Sequence, residues 1–218
     1  MTSPRLALFD CDGTLVDGQA AVVAAMEAAF AEHGLSLPDR HQVRRIVGLS
    51  LPQAIRILLP DADDDLNHEL DASYRRIFRA TREAGQLVEP LYDGIAALVV
   101  QLAAQGWVLG VATGKSQRGL EHCLATHSLT AHFATLQTAD HHPSKPHPAM
   151  IEAALAETGA PREACVMIGD TQFDMAMAVN AGVRAVGVDW GYHTTQELFD
   201  AGAEAVATSP AHLGELLP

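Results

Sequence analysis

Short apolar runs recur along the chain at intervals that leave room for a helix between them. Five runs lack the polar alternation of a half-exposed strand: residues 6–9, 108–112, 133–136, 165–168 and 185–188. Residues 205–207 are a weaker sixth candidate. Continuous apolar runs are typical of strands in a parallel sheet that is covered on both faces. The pattern therefore predicts a buried parallel sheet.

Helical periodicity fills the gaps between these runs. The segments concerned are residues 93–104, 116–126, 148–158 and 174–181. Gly159 and Gly182 follow two of them directly, and glycine after the last turn is a helix stop signal. Strands that alternate with helices predict a doubly wound α/β fold.

One region contains helical patterns only. It holds four predicted helices at residues 20–32, 39–47, 52–59 and 66–84. Pro90 and Gly94 mark the return of the chain to the sheet. We therefore expect a core domain formed by residues 1–15 and 88–218, and an inserted all-helical cap domain formed by residues 16–87.

Composition and net charge limit the kinds of molecule that the protein is expected to bind. Hydrophobic residues make up 48% and charged residues 19% of the 218 positions, which is typical of a globular protein. The net charge of −13 disfavours nucleic acid and anionic membranes, since both attract basic patches. Three scattered cysteines and the lack of a leader or membrane-spanning pattern predict a reduced, cytoplasmic protein.

Functional groups follow four of the predicted strands. The segments are Asp10-Cys11-Asp12-Gly13-Thr14, Thr113-Gly114-Lys115, Ser144-Lys145-Pro146 and the stretch from Gly169 to Asp174. Each alone is explained by an ordinary turn or helix cap. Ligands of open α/β sheets bind beyond the carboxyl ends of the strands, so all four together predict an active site there.

Four carboxylates would converge at this edge, opposed by Lys145. They belong to Asp10, Asp12, Asp170 and Asp174. Two like charges about 4 Å apart repel by about 4 kcal/mol at an effective dielectric of about 20, so the cluster calls for a cation. Carboxylate oxygens favour Mg²⁺, and the set contains no histidine or cysteine that would favour zinc.

The motifs resemble those of the haloacid dehalogenase superfamily. Its pattern is Asp-x-Asp-Gly-Thr, then Thr, then Lys-Pro, then Gly-Asp-x-x-x-Asp, with a small helical cap inserted after the first motif in one subgroup. The chain is most similar to phosphoglycolate phosphatase-like members over nearly its whole length. The resemblance implies a Rossmann-like core and an Mg²⁺-dependent phosphatase that forms an aspartyl-phosphate.

The resemblance also implies residue roles. Asp10 is expected to attack phosphorus, and Asp12 to protonate the leaving oxygen and then to accept a proton from water. Thr113 is expected to hold the phosphoryl oxygens while Lys145 balances their charge. The expected metal residues are Asp10, Asp12 through its main chain, Asp170 and Asp174, the last of them directly, through water or by pairing with the lysine.

Weaker signals concern the substrate. The chain has only two lysines, and both lie in the motifs. One of them, Lys115, is with Gly114 a candidate substrate contact, and an exposed first-turn residue is the alternative. Arg44 and Arg45 stand where caps of this group often contact substrate and are candidates to recognise an anionic or hydroxylated end; surface arginines on an amphipathic helix are the alternative, and for either one singly the favoured one.

A second group of cap arginines has an ordinary explanation. Arg75, Arg79 and Arg82 share one face of a predicted helix. Because charged residues at this spacing usually mark a solvated face, we expect these arginines to point into solvent.

Other reactions of the same superfamily require residues whose presence can be checked in the sequence. Asp12 disfavours a dehalogenase, and residues 16–87 lack the lysine of a phosphonate hydrolase. Residues 20–24 lack the cap histidine of many sugar phosphomutases, so a mutase is a weaker alternative. Pyrophosphatase, nucleotidase and a silent phosphate-binding module remain open. The favoured prediction is a monomeric or homodimeric phosphatase for a small phosphate monoester, such as phosphoglycolate or a short sugar phosphate.

Overall fold

The computed structural model describes residues 3–217, so the ends of the predicted core at residues 1, 2 and 218 lie outside the described residues. The strands are β1 (Arg5–Phe9), β2 (Trp107–Thr113), β3 (Phe133–Thr138), β4 (Cys165–Gly169), β5 (Arg184–Val188) and β6 (Ala205–Ala207). They form one parallel sheet in the order β3-β2-β1-β4-β5-β6. All six predicted runs lie inside these strands, and the doubly wound α/β prediction is confirmed.

Helices cover the sheet and form the insertion. The insertion contains α1 (Gln19–Glu32), α2 (Arg40–Arg45), α3 (Leu51–Leu58) and α4 (Asp64–Glu83). The core contains α5 (Ile95–Ala104), α6 (Gln117–Thr126), α7 (Ala149–Thr158), α8 (Gln172–Ala181), α9 (Thr195–Asp200) and α10 (Pro210–Leu216). Single 3₁₀ turns at Thr130–His132 and Arg162–Ala164 lead into β3 and β4. Within residues 3–217, no helix combines the length and apolar character needed to cross a membrane.

The sheet has a hydrophobic core on each face. Successive side chains of a strand point to opposite faces. In β1, Ala7 and Phe9 therefore pack with α5, α6 and α10, whereas Leu6 and Leu8 pack with α7, α8 and α9. Burial on both sides explains why the strands read as continuous apolar runs rather than as alternating ones.

The cap has its own small core and is docked on the strand ends. Residues from all four cap helices form one buried cluster: Val23, Met26, Ala29, Phe30, Val43, Ile55 and Leu70. Ile46 and Leu49 of the cap pack against Phe173 of the core. The Ser50 N–H donates to Ser144 Oγ at 2.8 Å, again across the boundary. The domain boundary at residues 16–87 stays a prediction, and all four cap helices fall inside it.

Two helices escaped the sequence prediction. The α9 and α10 segments have six and seven residues, too few for a helical period to stand out. Each begins at a capped residue, because Thr194 Oγ1 accepts from the Glu197 N–H and Ser209 Oγ from the His212 N–H. Side-chain caps of this kind satisfy backbone donors at the helix start.

Candidate active site

The register of the parallel strands places the residues that follow them at the same edge of the sheet. Phe9, the last residue of β1, pairs with Val111 of β2 and Ile168 of β4. The next residue, Asp10, continues the ladder, because its N–H donates to the Ile168 carbonyl at 2.8 Å. Asp10 therefore lies at the carboxyl edge between two neighbouring strands, where the sheet order reverses direction.

Lys145 binds two carboxylates inside the protein. Its Nζ lies 2.9 Å from Asp10 Oδ1 and 2.6 Å from Asp174 Oδ1, and all three side chains are fully buried. The Cys11 N–H also donates to Asp10 Oδ1, at 2.7 Å. The other oxygen, Asp10 Oδ2, is buried without a hydrogen-bond partner among the described residues. This unsatisfied acceptor is the one atom of the cluster that needs an outside partner.

Asp174 also fixes the start of α8. Its Oδ2 accepts from the Thr171 N–H at 3.1 Å and from the Thr171 hydroxyl at 2.7 Å. Both oxygens of Asp174 therefore have protein donors, unlike those of Asp10. Thr171 is a residue that the sequence interpretation missed, although a Thr three residues before an Asp is a capping-box signal.

Asp170 is held rigidly beside the nucleophile candidate. The Thr14 hydroxyl donates to its Oδ1 at 2.8 Å, and the Tyr192 N–H donates to its Oδ2 at 2.9 Å. Gly13 makes this approach possible, because its φ is +89° and a Cβ there would lie 2.1 Å from Asp170 Oδ2. Only glycine adopts this conformation readily and leaves the space free.

The carboxylates form a trio suited to a cation. Ligand atoms of Asp10, Asp170 and Asp174 all lie within 4.8 Å of one another. Burial raises the pKa of Asp170 well above its usual value, and the charges of the other two raise it further. Burial also raises the pKa of Asp10 to about 7, although Lys145 acts in the opposite direction. These shifts indicate more buried negative charge than one lysine balances.

Lys115 forms a second charged group. Its Nζ lies 2.9 and 3.0 Å from the two oxygens of Asp12, and 2.7 Å from Glu89 Oε1. Burial acts to lower the pKa of Lys115, but the two carboxylates raise it well above its usual value. The ammonium therefore holds Asp12 by both oxygens. Glu89 was missed because a single glutamate before Pro90 carries no sequence signal.

The phosphate-binding candidates lie where core and cap meet. Thr113 is buried, and its Oγ1 accepts from the Lys115 N–H at 3.2 Å. Gly114 faces the cap turn, since a Cβ there would lie 2.4 Å from the Leu49 carbonyl oxygen. A larger residue at position 114 would push the cap away from the strand ends.

A cavity of about 270 Å³ separates the cap from the core. Its core side includes Asp12, Thr113, Gly114, Lys115 and Ser116. Its cap side is largely apolar, with the rings of Tyr74 and Phe78 among the lining groups. The cavity therefore gives a small molecule access to Asp12 and to the predicted phosphate-binding threonine.

The structure does not bring Arg44 and Arg45 to this cavity. Arg44 is exposed, and neither arginine belongs to the cavity lining. Arg45 instead forms a two-point ion pair with Glu197 of the core, one contact being 2.8 Å. Arg75 and Arg79 are exposed, as the sequence predicted, and Arg82 is partly exposed, but all three also line the cavity.

Fold and site together are those of a capped, doubly wound α/β enzyme with a carboxylate cluster at its candidate active site. The chain belongs to the haloacid dehalogenase-like hydrolase family, whose model matches residues 7–188.

Three of the similar proteins carry phosphatase names. The probable phosphatase IndB of Dickeya dadantii (strain 3937) is 35% identical over 92% of this chain and 88% of its own length. A phosphoglycolate phosphatase of Vibrio cholerae is 27% identical over 100% of this chain and 98% of its own. The crystal structure of a predicted phosphatase from Clostridium acetobutylicum superposes with a TM-score of 0.89 at 25% identity, covering 99% of both chains. The protein is accordingly a phosphatase of this family.

Proposed function

We propose that the enzyme hydrolyses a small phosphate monoester through an aspartyl-phosphate on Asp10, with Mg²⁺ as cofactor. The observation that carries the proposal is the state of the Asp10 carboxylate. Oδ1 is fixed by Lys145 and by the Cys11 N–H, while Oδ2 has no partner among the described residues. A fixed carboxylate with one unsatisfied oxygen suits nucleophilic attack or metal binding.

The reaction has two balanced steps. An oxygen of Asp10 forms a bond to phosphorus while the bond from phosphorus to the leaving oxygen breaks, and Asp12 gives that oxygen a proton. Water then attacks the phosphorus of the aspartyl-phosphate. Asp12 takes a proton from this water, and the bond from phosphorus to Asp10 breaks to release phosphate.

The carboxylate trio fits Mg²⁺. Its donors are all oxygens, and the unsatisfied Asp10 Oδ2 lies among them. Asp10 and Asp170 are the proposed direct ligands, with the main-chain oxygen of Asp12. Asp174 supports them, since both of its oxygens already accept from Lys145 and Thr171. When bound, Mg²⁺ would neutralise charge on the phosphoryl oxygens.

The remaining polar groups would hold the phosphoryl group. Thr113 presents a buried hydroxyl to the cavity, and Lys145 supplies a fixed positive charge beside the attacking residue. Groups that are fixed before the reaction stabilise developing charge without a further cost of reorganisation. Lys115 acts chiefly on Asp12, which it binds by both oxygens.

Cavity size and charge support a small substrate. The docked cap encloses about 270 Å³, which suits a small molecule rather than a polymer. The net charge of −13 disfavours nucleic acid and anionic membranes. Phosphoglycolate, named for the Vibrio cholerae relative, and short sugar phosphates are the first candidates. We further propose a cytoplasmic monomer or homodimer.

A phosphate-release screen with excess Mg²⁺ tests the proposal. We expect turnover of several small esters, loss of turnover in excess chelator, and recovery when Mg²⁺ is restored. Acid-quenched enzyme should carry phosphate that is labile to hydroxylamine, as an acyl-phosphate is. Full activity in chelator would contradict the metal assignment, and turnover without a trapped acyl-phosphate would contradict the covalent step.

A further inference from the structure

The charged residues that line the cavity are mainly basic, although those of the whole chain are mainly acidic. The whole chain has 14 basic and 27 acidic residues. Among the described residues that line the cavity, five are basic and two, Asp12 and Asp140, are acidic. Three of the basic groups, Lys115, Arg75 and Arg118, pair with neighbouring carboxylates, so the attraction of this lining for anions rests on the remaining two.

Most of the basic groups that line the cavity are arginines. Four of the five are arginines: Arg75, Arg79, Arg82 and Arg118. Lys115, the fifth, is already bound to Asp12 and Glu89. We call the four arginines the arginine rim. Three of them belong to one face of α4 in the cap, and the fourth belongs to α6 in the core.

Two members of the arginine rim are free to bind a ligand. Arg75 pairs with Asp71 at 2.8 Å and with Asp140 at 3.5 Å, and Arg118 lies 3.5 Å from Glu83. Arg79 and Arg82 have no hydrogen bond or ion pair to any residue within 3–217. Unpaired guanidinium groups at a cavity mouth match the planar geometry of carboxylate and phosphate.

The Phe78 ring adds an apolar surface to the cavity beside the Lys115 group. Lys115 Nζ, bound to Asp12, is 5.6 Å from the centre of the Phe78 ring. Arg82 follows Phe78 by one helical turn, about 6 Å along the axis of α4. Since Asp12, Phe78 and Arg82 all line one cavity, we expect a substrate that spans from Asp12 to Arg82 to pack its spacer against the Phe78 ring. One carbon between the two anionic groups, as in phosphoglycolate, is a short spacer for that path.

We infer that the substrate carries a second anionic group, a carboxylate or a phosphate, that binds Arg79 and Arg82 while its phosphate monoester lies at Asp10. This inference rests on the proposed function for the position of the scissile phosphate. It selects a class within the small phosphate esters: those in which an apolar spacer of more than one carbon joins the ester to a distal anion. Neutral short sugar phosphates then become the poorer substrates.

Matched alkyl phosphates test the inference. One series ends in a carboxylate, a second series of equal length ends in a hydroxyl, and a third consists of alkane bisphosphates. Phosphoglycolate is the shortest acid. A hydrogen-bonded contact to a charged group corresponds to about 10- to 100-fold in affinity. We therefore expect kcat/KM to be about 10- to 100-fold higher for the longer acids or bisphosphates than for their hydroxyl partners.

Substitution of the rim should remove this preference. In the Arg79→Gln/Arg82→Gln double variant, kcat/KM should fall about 10- to 100-fold for the longer acids or bisphosphates and by clearly less for the hydroxyl series, so that the preference for the anionic end is lost. Arg76→Gln is the matched control, because Arg76 belongs to the same helix and pairs with Glu32 away from the cavity. The ratio of kcat/KM for the acids to kcat/KM for the bisphosphates shows which anion the arginine rim prefers.

Ligand-induced shifts in Tm give a readout that needs no turnover. If no ester is hydrolysed but anionic ends still raise Tm in a rim-dependent way, the inference about the ligand stands and the proposed function fails. Equal kcat/KM and equal Tm shifts for both series would overturn the inference. So would equal losses for both series in the double variant, or a preference confined to phosphoglycolate.

Discussion

The two lysines of the chain occupy two contrasting environments. Lys145 binds Asp10 and Asp174, and none of these three side chains is exposed to solvent. Lys115 binds Asp12 and Glu89 with small exposed fractions of 5–10%, and it lines the cavity beneath the cap. The Lys145 group is thus built wholly within the core, whereas the Lys115 group also faces the cap and the substrate space.

The contrast suggests a division of labour. A fully buried ion pair fixes geometry but leaves a costly uncompensated charge if one partner is removed. A pair at a cavity edge can exchange contacts when a ligand enters. We therefore assign the nucleophile to the rigid Lys145 group and the proton-transferring acid to the more accessible Lys115 group.

Removal of the nucleophile should have the largest effect. We expect Asp10→Asn to lower kcat by a factor on the order of 10⁶, the scale seen when a hydrolase loses its nucleophile. Phosphate release on the best small ester measures it. Asp61→Asn, in an exposed loop of the cap, is the control. Near-normal turnover by Asp10→Asn would exclude Asp10 as the nucleophile.

Removal of the acid should depend on the leaving group. We expect Asp12→Asn to lower the rate on alkyl phosphates by about 10²- to 10⁴-fold, because general acid catalysis supplies that much. Nitrophenyl phosphate should lose less, since its leaving oxygen needs little protonation. If both esters suffer the same loss, Asp12 does not act as the acid.

The two lysines should differ in their effect on stability. Lys145→Met leaves Asp10 and Asp174 buried without their cation, so we expect the free energy of unfolding to fall by about 3–5 kcal/mol. Lys115→Met should cost less, because Asp12 and Glu89 lie nearer the cavity. Denaturant unfolding at neutral pH measures both values.

Denaturant unfolding in the presence of Mg²⁺ should distinguish the two lysine variants further. A cation that binds only the native state stabilises it by mass action, so Mg²⁺ should restore part of the stability of the Lys145→Met protein. The Lys115→Met protein should gain no more than the wild type. Equal stability losses and equal Mg²⁺ responses would remove the contrast between the two lysines.

A partly exposed ion pair should have the smallest effect. Arg45 and Glu197 join cap to core, and solvent limits such a pair to about 1 kcal/mol. Hydrogen bonds from Arg45, and then from Thr194, lower the pKa of Glu197 from 4.5 to about 2. A lowered acid pKa contributes stability that is complete above pH 4.5 and is lost as the pH falls towards 2.

Glu197→Gln should therefore be less stable than the wild type at neutral pH and equal to it near pH 2. Unfolding midpoints measured between pH 2 and pH 7 test this window. A difference between the two proteins that does not change with pH would show that packing, and not the charge of Glu197, accounts for the effect.

The sequence by itself determined the sheet and the catalytic motifs. Burial on both faces forces strands such as β1 to be apolar throughout, so these strands are visible in sequence. The motifs are equally local, since Asp10 and Asp170 directly follow buried strands. Parallel register then places both at one edge, and the doubly wound fold and family could be predicted without coordinates. The short helices α9 and α10 could not, because one or two turns carry too few apolar positions for a period.

Only the tertiary structure decided the partners of these groups. Glu89 reaches Lys115 from a distant part of the chain, and no local pattern marks it. The tertiary structure also decided which of the cap arginines contact the cavity and which do not. A helical face such as that of Arg79 and Arg82 has the same sequence pattern whether it meets solvent or a cavity. The docking of the cap on the core decides between these two environments. It brings the Arg45 side chain to Glu197 and places the arginine rim at the cavity.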